Sequence, residues 1–190
     1  RTGYDREVLA VIVVGQSSCI CDLYFGRAVI NLGAFHGRSD NGNPLCGDVG
    51  SRISRLCDQL VVSCRRAGKL MAERGSGIII NISSVCALYA WPGWSVYTAA
   101  KAGLSKFSHG LYTELRPFGV RVTCVTPSWG RTGFNQAARI TGASEDPELA
   151  EKCIGPEELG NLVRSIIEQP DHLAVPDITI QPVIQEISPM

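Results

Sequence analysis

Three short runs of branched aliphatic residues, Val8 to Val14, Gly77 to Ser83 and Val120 to Val125, alternate with stretches of helical apolar spacing. No other feature constrains the fold as much. A strand written almost wholly in Val and Ile is buried on both faces, which happens when helices cover both sides of a parallel sheet. Helices are expected over Ile20 to Leu32 with a stop at Gly33, over Arg52 to Arg74, over Val96 to Phe118 and over Glu157 to Gln169. A weaker strand is expected at Asp177 to Gln181. Gly155-Pro156-Glu157-Glu158 opens the last helix, with proline near its first position and acids where they favour the helix dipole. Ser39 to Val49 is turn-rich and reads as a loop. Strands alternating with helices of this length imply the α/β class: a Rossmann-like, doubly wound parallel sheet in a three-layer α/β/α arrangement, one domain over residues 1–190.

Charge and cysteine content narrow the function. Lys plus Arg and Asp plus Glu are equal at 18 each, so the chain has no basic field to gather nucleic acid or anionic lipid. The apolar run at Val8 to Val14 is far shorter than the roughly 20 residues of a membrane span. Neither a nucleic-acid nor a membrane partner is expected, and the chain reads as cytoplasmic. The 8 cysteines are scattered through apolar segments, as reduced and buried thiols are. Cys19 and Cys21 have no companion pair at ligand spacing, so no metal site is expected. His36, His109 and His172 share no constellation and read as structural or solvated.

The chemistry gathers in one segment. Asn81-Ile82-Ser83-Ser84 leaves the C-terminal end of a strand, the edge where open α/β sheets bind ligands. Tyr97 and Lys101 follow at a helix start, four residues apart and therefore on one helical face. An ammonium ~4 Å from a phenol favours the phenolate by up to ~4 kcal/mol at an effective dielectric near 20, enough to bring a tyrosine into general acid/base range. A serine hydroxyl such as Ser84 beside it can hold a carbonyl or alcohol oxygen. Tyr89, Trp91 and Trp94 lie between Ser84 and Tyr97, where they line a substrate pocket or pack the loop. Trp129, beside Pro127, has a somewhat better claim to a site role. Arg131 to Gly155 reads as a lid or an exposed connection.

N-I-S-S, then Y-T-A-A-K, then V-R-V-T-C-V-T-P-S-W-G-R-T resembles the catalytic half of the short-chain dehydrogenases/reductases, closely over Gly77 to Thr132 and loosely to Pro182. The resemblance implies an NAD(P)-dependent oxidoreductase that passes hydride between a nicotinamide cofactor and a carbonyl or secondary alcohol. It implies Tyr97 as acid/base, Lys101 as the group that lowers the tyrosine pKa and binds the nicotinamide ribose, and Ser84 as the holder of substrate oxygen. Pro127 and Thr132 match the segment that meets the carboxamide, with Ser128 where glycine is usual. Gly15, Ser17, Ser18 and Ile20 match the dinucleotide loop, and Arg38 falls where NADP-preferring members place an arginine, so NADP is favoured over NAD. The two long helices resemble those that pair subunits into a homodimer or homotetramer.

The same comparison exposes departures. Cys19 and Cys21 stand at two glycine positions of the dinucleotide loop, and a cysteine forced to positive φ costs ~1–2 kcal/mol. Leu56-Cys57-Asp58 occupies the neighbourhood of the family's catalytic asparagine. The chain from Ser39 to Arg52 is too short for a βαβ stretch the family carries, so the first strand must pair directly with Gly77 to Ser83. A second-ranked alignment instead sets Ile30 to Ala34 on the family's N-N-A-G strand. These departures leave a second functional reading, a catalytically impaired relative kept for assembly or binding.

Overall fold

The computed structural model describes residues 49–132 and 146–186 together with strand segments 10–14 and 28–32, with residues 10–14, 28–32 and 49–60 described as backbone. Five strands, β1 (Ala10–Val14), β2 (Ala28–Leu32), β3 (Gly77–Ile82), β4 (Val120–Pro127) and β5 (Asp177–Ile180), form one sheet in the order β2-β1-β3-β4-β5. Every pairing is parallel. The α/β class and its Rossmann-like parallel sheet stand as the strand patterns imply.

The helices are α1 (Val49–Arg74), α2 (Ser95–Leu115), α3 (Pro147–Ala150) and α4 (Pro156–Ile167). Side chains on β3 and β4 alternate between two cores. Ile79, Val120 and Val122 meet Cys64, Met71, Leu104 and Leu111 from α1 and α2. Ile78, Ile80, Ile82 and Val125 meet Val163 and Ile166 from α4. Both strands are therefore buried on two sides, which is why their sequences are nearly continuous in branched aliphatics.

The helix stops are shared between α1 and α2. Gly75 ends the first and Gly119 follows the second, at φ 71° and 73°, the left-handed region that glycine enters without Cβ strain. A Cβ on Gly119 would lie 2.5 Å from the Gly75 carbonyl oxygen. At the opposite end of the sheet from the site, Arg121 on β4 donates to the carbonyls of Ile166, Ile167 and Gln169 and so satisfies the end of α4. Asp171 stands 3.8 Å from the same guanidinium.

Two expectations are corrected. The helix expected over Ile20 to Leu32 does not reach Leu32: Ala28–Leu32 is β2, paired with β1 from Ala10↔Ala28 to Val14↔Leu32. Val29 and Ile30 are β-branched, and in a run this short the apolar pattern does not separate helix from buried strand. The second-ranked alignment of Ile30 to Ala34 also fails, because β1 and not β2 lies beside β3. Direct pairing of the first strand with Gly77 to Ser83 is found, with Ala10↔Ile78 through Val14↔Ile82 in register.

Candidate active site

The chain runs outward from β1 to β2 and returns past β1 to β3, so strand order reverses between β1 and β3. Crevices at the C-terminal ends of strands flanking such a reversal are where doubly wound sheets bind ligands. Ser83 and Ser84 leave β3 at this edge. Ser84 is extended at φ −162° and ψ 155°, and its hydroxyl accepts from the Cys86 amide to start a 3-10 turn over Val85–Ala87. That turn carries the chain away from the sheet and leaves Ser84 half-buried.

Tyr97 sits in the first turn of α2 and Lys101 one turn later. The structure brings Ser84, Tyr97 and Lys101 together: the Ser84 side chain hydrogen-bonds the Tyr97 hydroxyl, and the Lys101 ammonium is 5.8 Å from the centroid of the Tyr97 ring. The Lys101 amine, on a residue only 3% exposed, donates to the Ile82 carbonyl oxygen at 2.9 Å. Behind these residues a polar seam runs between α2 and the sheet. Ser83 bonds the Lys101 carbonyl at 3.2 Å and the Ser105 hydroxyl at 2.8 Å. Asn81, fully buried, donates to Ser108 at 2.8 Å, and the Cys64 thiol donates to its carbonyl oxygen at 3.7 Å.

Electrostatics here differ from the expectation drawn from the residues. Desolvation pushes the Tyr97 phenol above its ordinary value, with the Ser84 hydrogen bond opposing it. Burial lowers Lys101 to about 8, with Cys124 and Cys86 opposing the shift. A lysine tied to a main-chain carbonyl, 5.8 Å from the ring centroid, offsets little of the phenol's desolvation. Tyr97 therefore stays a neutral proton donor in this state.

The remaining expected residues divide. Pro127 ends β4 at the same edge, and Thr132 is exposed five residues beyond it. Gly15, Ser17, Ser18, Ile20 and Arg38, with Cys19, Cys21, Gly33, Phe35 and His36, lie outside the described residues. Ser39 to Asp48 and much of the segment after Thr132 do too. Gln185 escaped sequence reasoning: 7% exposed, it bonds the Ser128 hydroxyl and accepts from the Trp129 amide at 3.4 Å, fixing the segment after β4. Nothing in a short polar-apolar tail marks it beforehand. His109 is a tether, 2.8 Å from Asp177 at the foot of β5.

Residues 58–142 match the family described as short chain dehydrogenase. That stretch carries the likeness to the short-chain dehydrogenases/reductases. It is 35% identical over 115 residues to a protein named serine 3-dehydrogenase from Rhizobium radiobacter, covering 59% of this chain and 46% of that one. It is 30% identical over 125 residues to a probable NADP-dependent dehydrogenase of Haemophilus influenzae, covering 63% and 49%. The chain thus spans about half the length of the curated relatives it matches. Among solved structures, a closed serine dehydrogenase complexed with NADP+ superimposes with a TM-score of 0.67 at 20% identity, over 96% of this chain and 88% of that one. At that identity the likeness speaks to the fold, and it agrees with the sheet described above.

Proposed function

We propose that this protein is an NAD(P)-dependent oxidoreductase, one domain, that interconverts a carbonyl and a secondary alcohol with Tyr97 moving the oxygen's proton. The observation that carries the reading is the Ser84–Tyr97 hydrogen bond at the reversal edge of the sheet, with Lys101 one helical turn behind. The names of the matched relatives, one of them NADP-dependent, point the same way.

The donor set fits the ribose end of a nicotinamide dinucleotide. Lys101 is a buried ammonium held on the Ile82 carbonyl, a donor suited to neutral acceptors such as sugar hydroxyls, and the Tyr97 ring is beside it. Pro127 and Thr132 would border the carboxamide, while Gly15, Ser17, Ser18, Ile20 and Arg38 would hold the phosphates, with NADP favoured by Arg38. When bound, the dinucleotide supplies or accepts the hydride. Ser84 holds the substrate oxygen. A neutral Tyr97 gives that oxygen its proton during reduction, a transfer its raised pKa permits because a nascent alkoxide is far more basic. Lys101, while protonated, stabilises the phenolate left behind until solvent returns the proton.

We further propose a homodimer or homotetramer built on the outer faces of α1 and α2, with Val61, Val62 and Leu70 exposed on α1. Four buried free thiols among the described residues support a reducing, cytoplasmic setting. None of the helices searched is long and apolar enough to cross a membrane. The test of the central claim is titration with NADPH and NADH followed by nicotinamide fluorescence, together with carbonyl-dependent NADPH oxidation. Absence of binding by either cofactor at millimolar concentration rejects the enzyme reading.

A further inference from the structure

We propose that the site takes an uncharged apolar ketone or secondary alcohol, best an aryl one, and disfavours substrates bearing a carboxylate next to the reacting carbon. The inference rests on the assignment of Tyr97 and Ser84 as the groups that meet substrate oxygen. Between those two residues the wall from Val85 to Val96 contains no Asp, Glu, Lys, Arg or His. Trp94 meets the Tyr97 ring edge-on, with centroids 5.4 Å apart and planes at 74°. Tyr89 and Trp91 form a second edge-on pair at 6.3 Å.

The backbone of this loop is fixed by its own hydrogen bonds. Ala87 and Leu88 donate to Ser84 and Val85, Tyr89 also donates to Val85, and Trp94 donates to Trp91, all at 2.8–3.2 Å. Leu88 remains 57% exposed and Tyr89, Trp91 and Trp94 half-buried, so the loop presents apolar surface beside the reacting hydroxyls. Ring edges and faces arranged in this way pack well against another aromatic ring. The nearby cations have other engagements. Lys101 is buried on the Ile82 carbonyl. The Arg131 guanidinium and the Glu158 carboxylate both lie beside Gly155, where a Cβ would be 3.3 Å from each. A substrate carboxylate entering beside Trp94 loses hydration and finds no counter-charge on Val85 to Val96, which weakens binding and turnover.

In the reaction, the ketone carbon gains a hydride, with its two electrons, from a reduced nicotinamide dinucleotide. The oxygen gains the Tyr97 proton, giving the secondary alcohol and the oxidised dinucleotide. Acetophenone and benzoylformate isolate the claim, since they differ by a methyl group against a carboxylate on the carbonyl. The full chain with NADPH is expected to show a kcat/KM at least tenfold higher for acetophenone. Trp94→Ala should lower that value tenfold or more and narrow the ratio of acetophenone to butanone turnover. Calorimetric titration of both ketones into the protein, with and without NADP+, should give the same order of affinity. Equal or reversed preference, or no detectable acetophenone binding, overturns the inference. Loss of dinucleotide binding and of all turnover would instead reject the oxidoreductase reading, while the calorimetric order still decides the chemistry of the wall.

Discussion

The two faces of β3 are built to different rules. Ile78, Ile80 and Ile82 point toward α4 into a core of aliphatic side chains. On the other face Ile79 gives way to Asn81 and then Ser83, each hydrogen-bonded as the strand approaches the catalytic edge. One face supplies burial, which scales with area and tolerates similar shapes. The other supplies position, which depends on specific donors and acceptors and fails when one is left unpaired. Substitutions on the two faces should therefore separate stability from chemistry.

The largest effect is expected at Tyr97. Tyr97→Phe keeps the ring against Trp94 but removes the proton, and should lower kcat by about 10²–10⁴-fold while leaving the melting temperature nearly unchanged; steady-state reduction assays beside thermal melts read both. On the aliphatic face Ile80→Ala should cost about 2–5 kcal/mol of stability, measured by urea unfolding, with kcat per folded molecule unaltered. A fall in that kcat would mean the two faces are not independent. Asn81→Ala should cost about 1–3 kcal/mol by stripping Ser108 and Cys64 of a partner. Unlike Ile80→Ala, it should also lower kcat, because Asn81 precedes the carbonyl that receives Lys101.

The smallest effect is a pH dependence of stability, and its sign changes. Lys101 is lowered from 10.5 to about 8. Between those values the unfolded chain holds a proton the folded one lacks, so stability rises with pH. Cys64 is raised from 9.0 to about 12 by burial, and Cys86 and Cys153 shift the same way. Above 9 the folded chain keeps protons the unfolded one has lost, so stability falls. The melting temperature should climb from pH 8 to 9, where Lys101 titrates alone, flatten up to 10.5, where Lys101 and Cys64 oppose one another at about 1 kcal/mol per pH unit each, and decline above that, with Cys86 and Cys153 adding to the fall. Lys101→Met should remove the climb and Cys64→Ala should soften the decline. A wild-type melting temperature that falls between pH 8 and 9 contradicts the assignment.

Much of this arrangement was legible in the residues. β3, β4, α1, α2 and α4 fall within a few residues of where Val/Ile runs and helical spacing put them, because both signals are local. Ser84, Tyr97 and Lys101 were readable because their spacing and the strand end bring them to one edge. β2 was misread as helix, since Ala28 to Leu32 is too short for periodicity to decide and its partner strand is a tertiary fact. The pKa of Tyr97 was misjudged for a related reason: residue spacing places an amine near a phenol but says nothing of the carbonyl that captures it or of the solvent both lose. Arg121, a cation inside a buried strand, carried a visible signal that something polar must meet it, though not that it would be the end of α4.

The junction of β1 with β3 has a consequence measured by ruler. Neighbouring strands sit about 4.8 Å apart, so omitting one strand there draws the mouth of β1 that much closer to the tyrosine. An elongated guest laid along this rim has a shorter bench to lie on than a wider sheet would offer. It must arch outward or adopt a more folded shape, and rigid extended molecules should be penalised relative to supple ones.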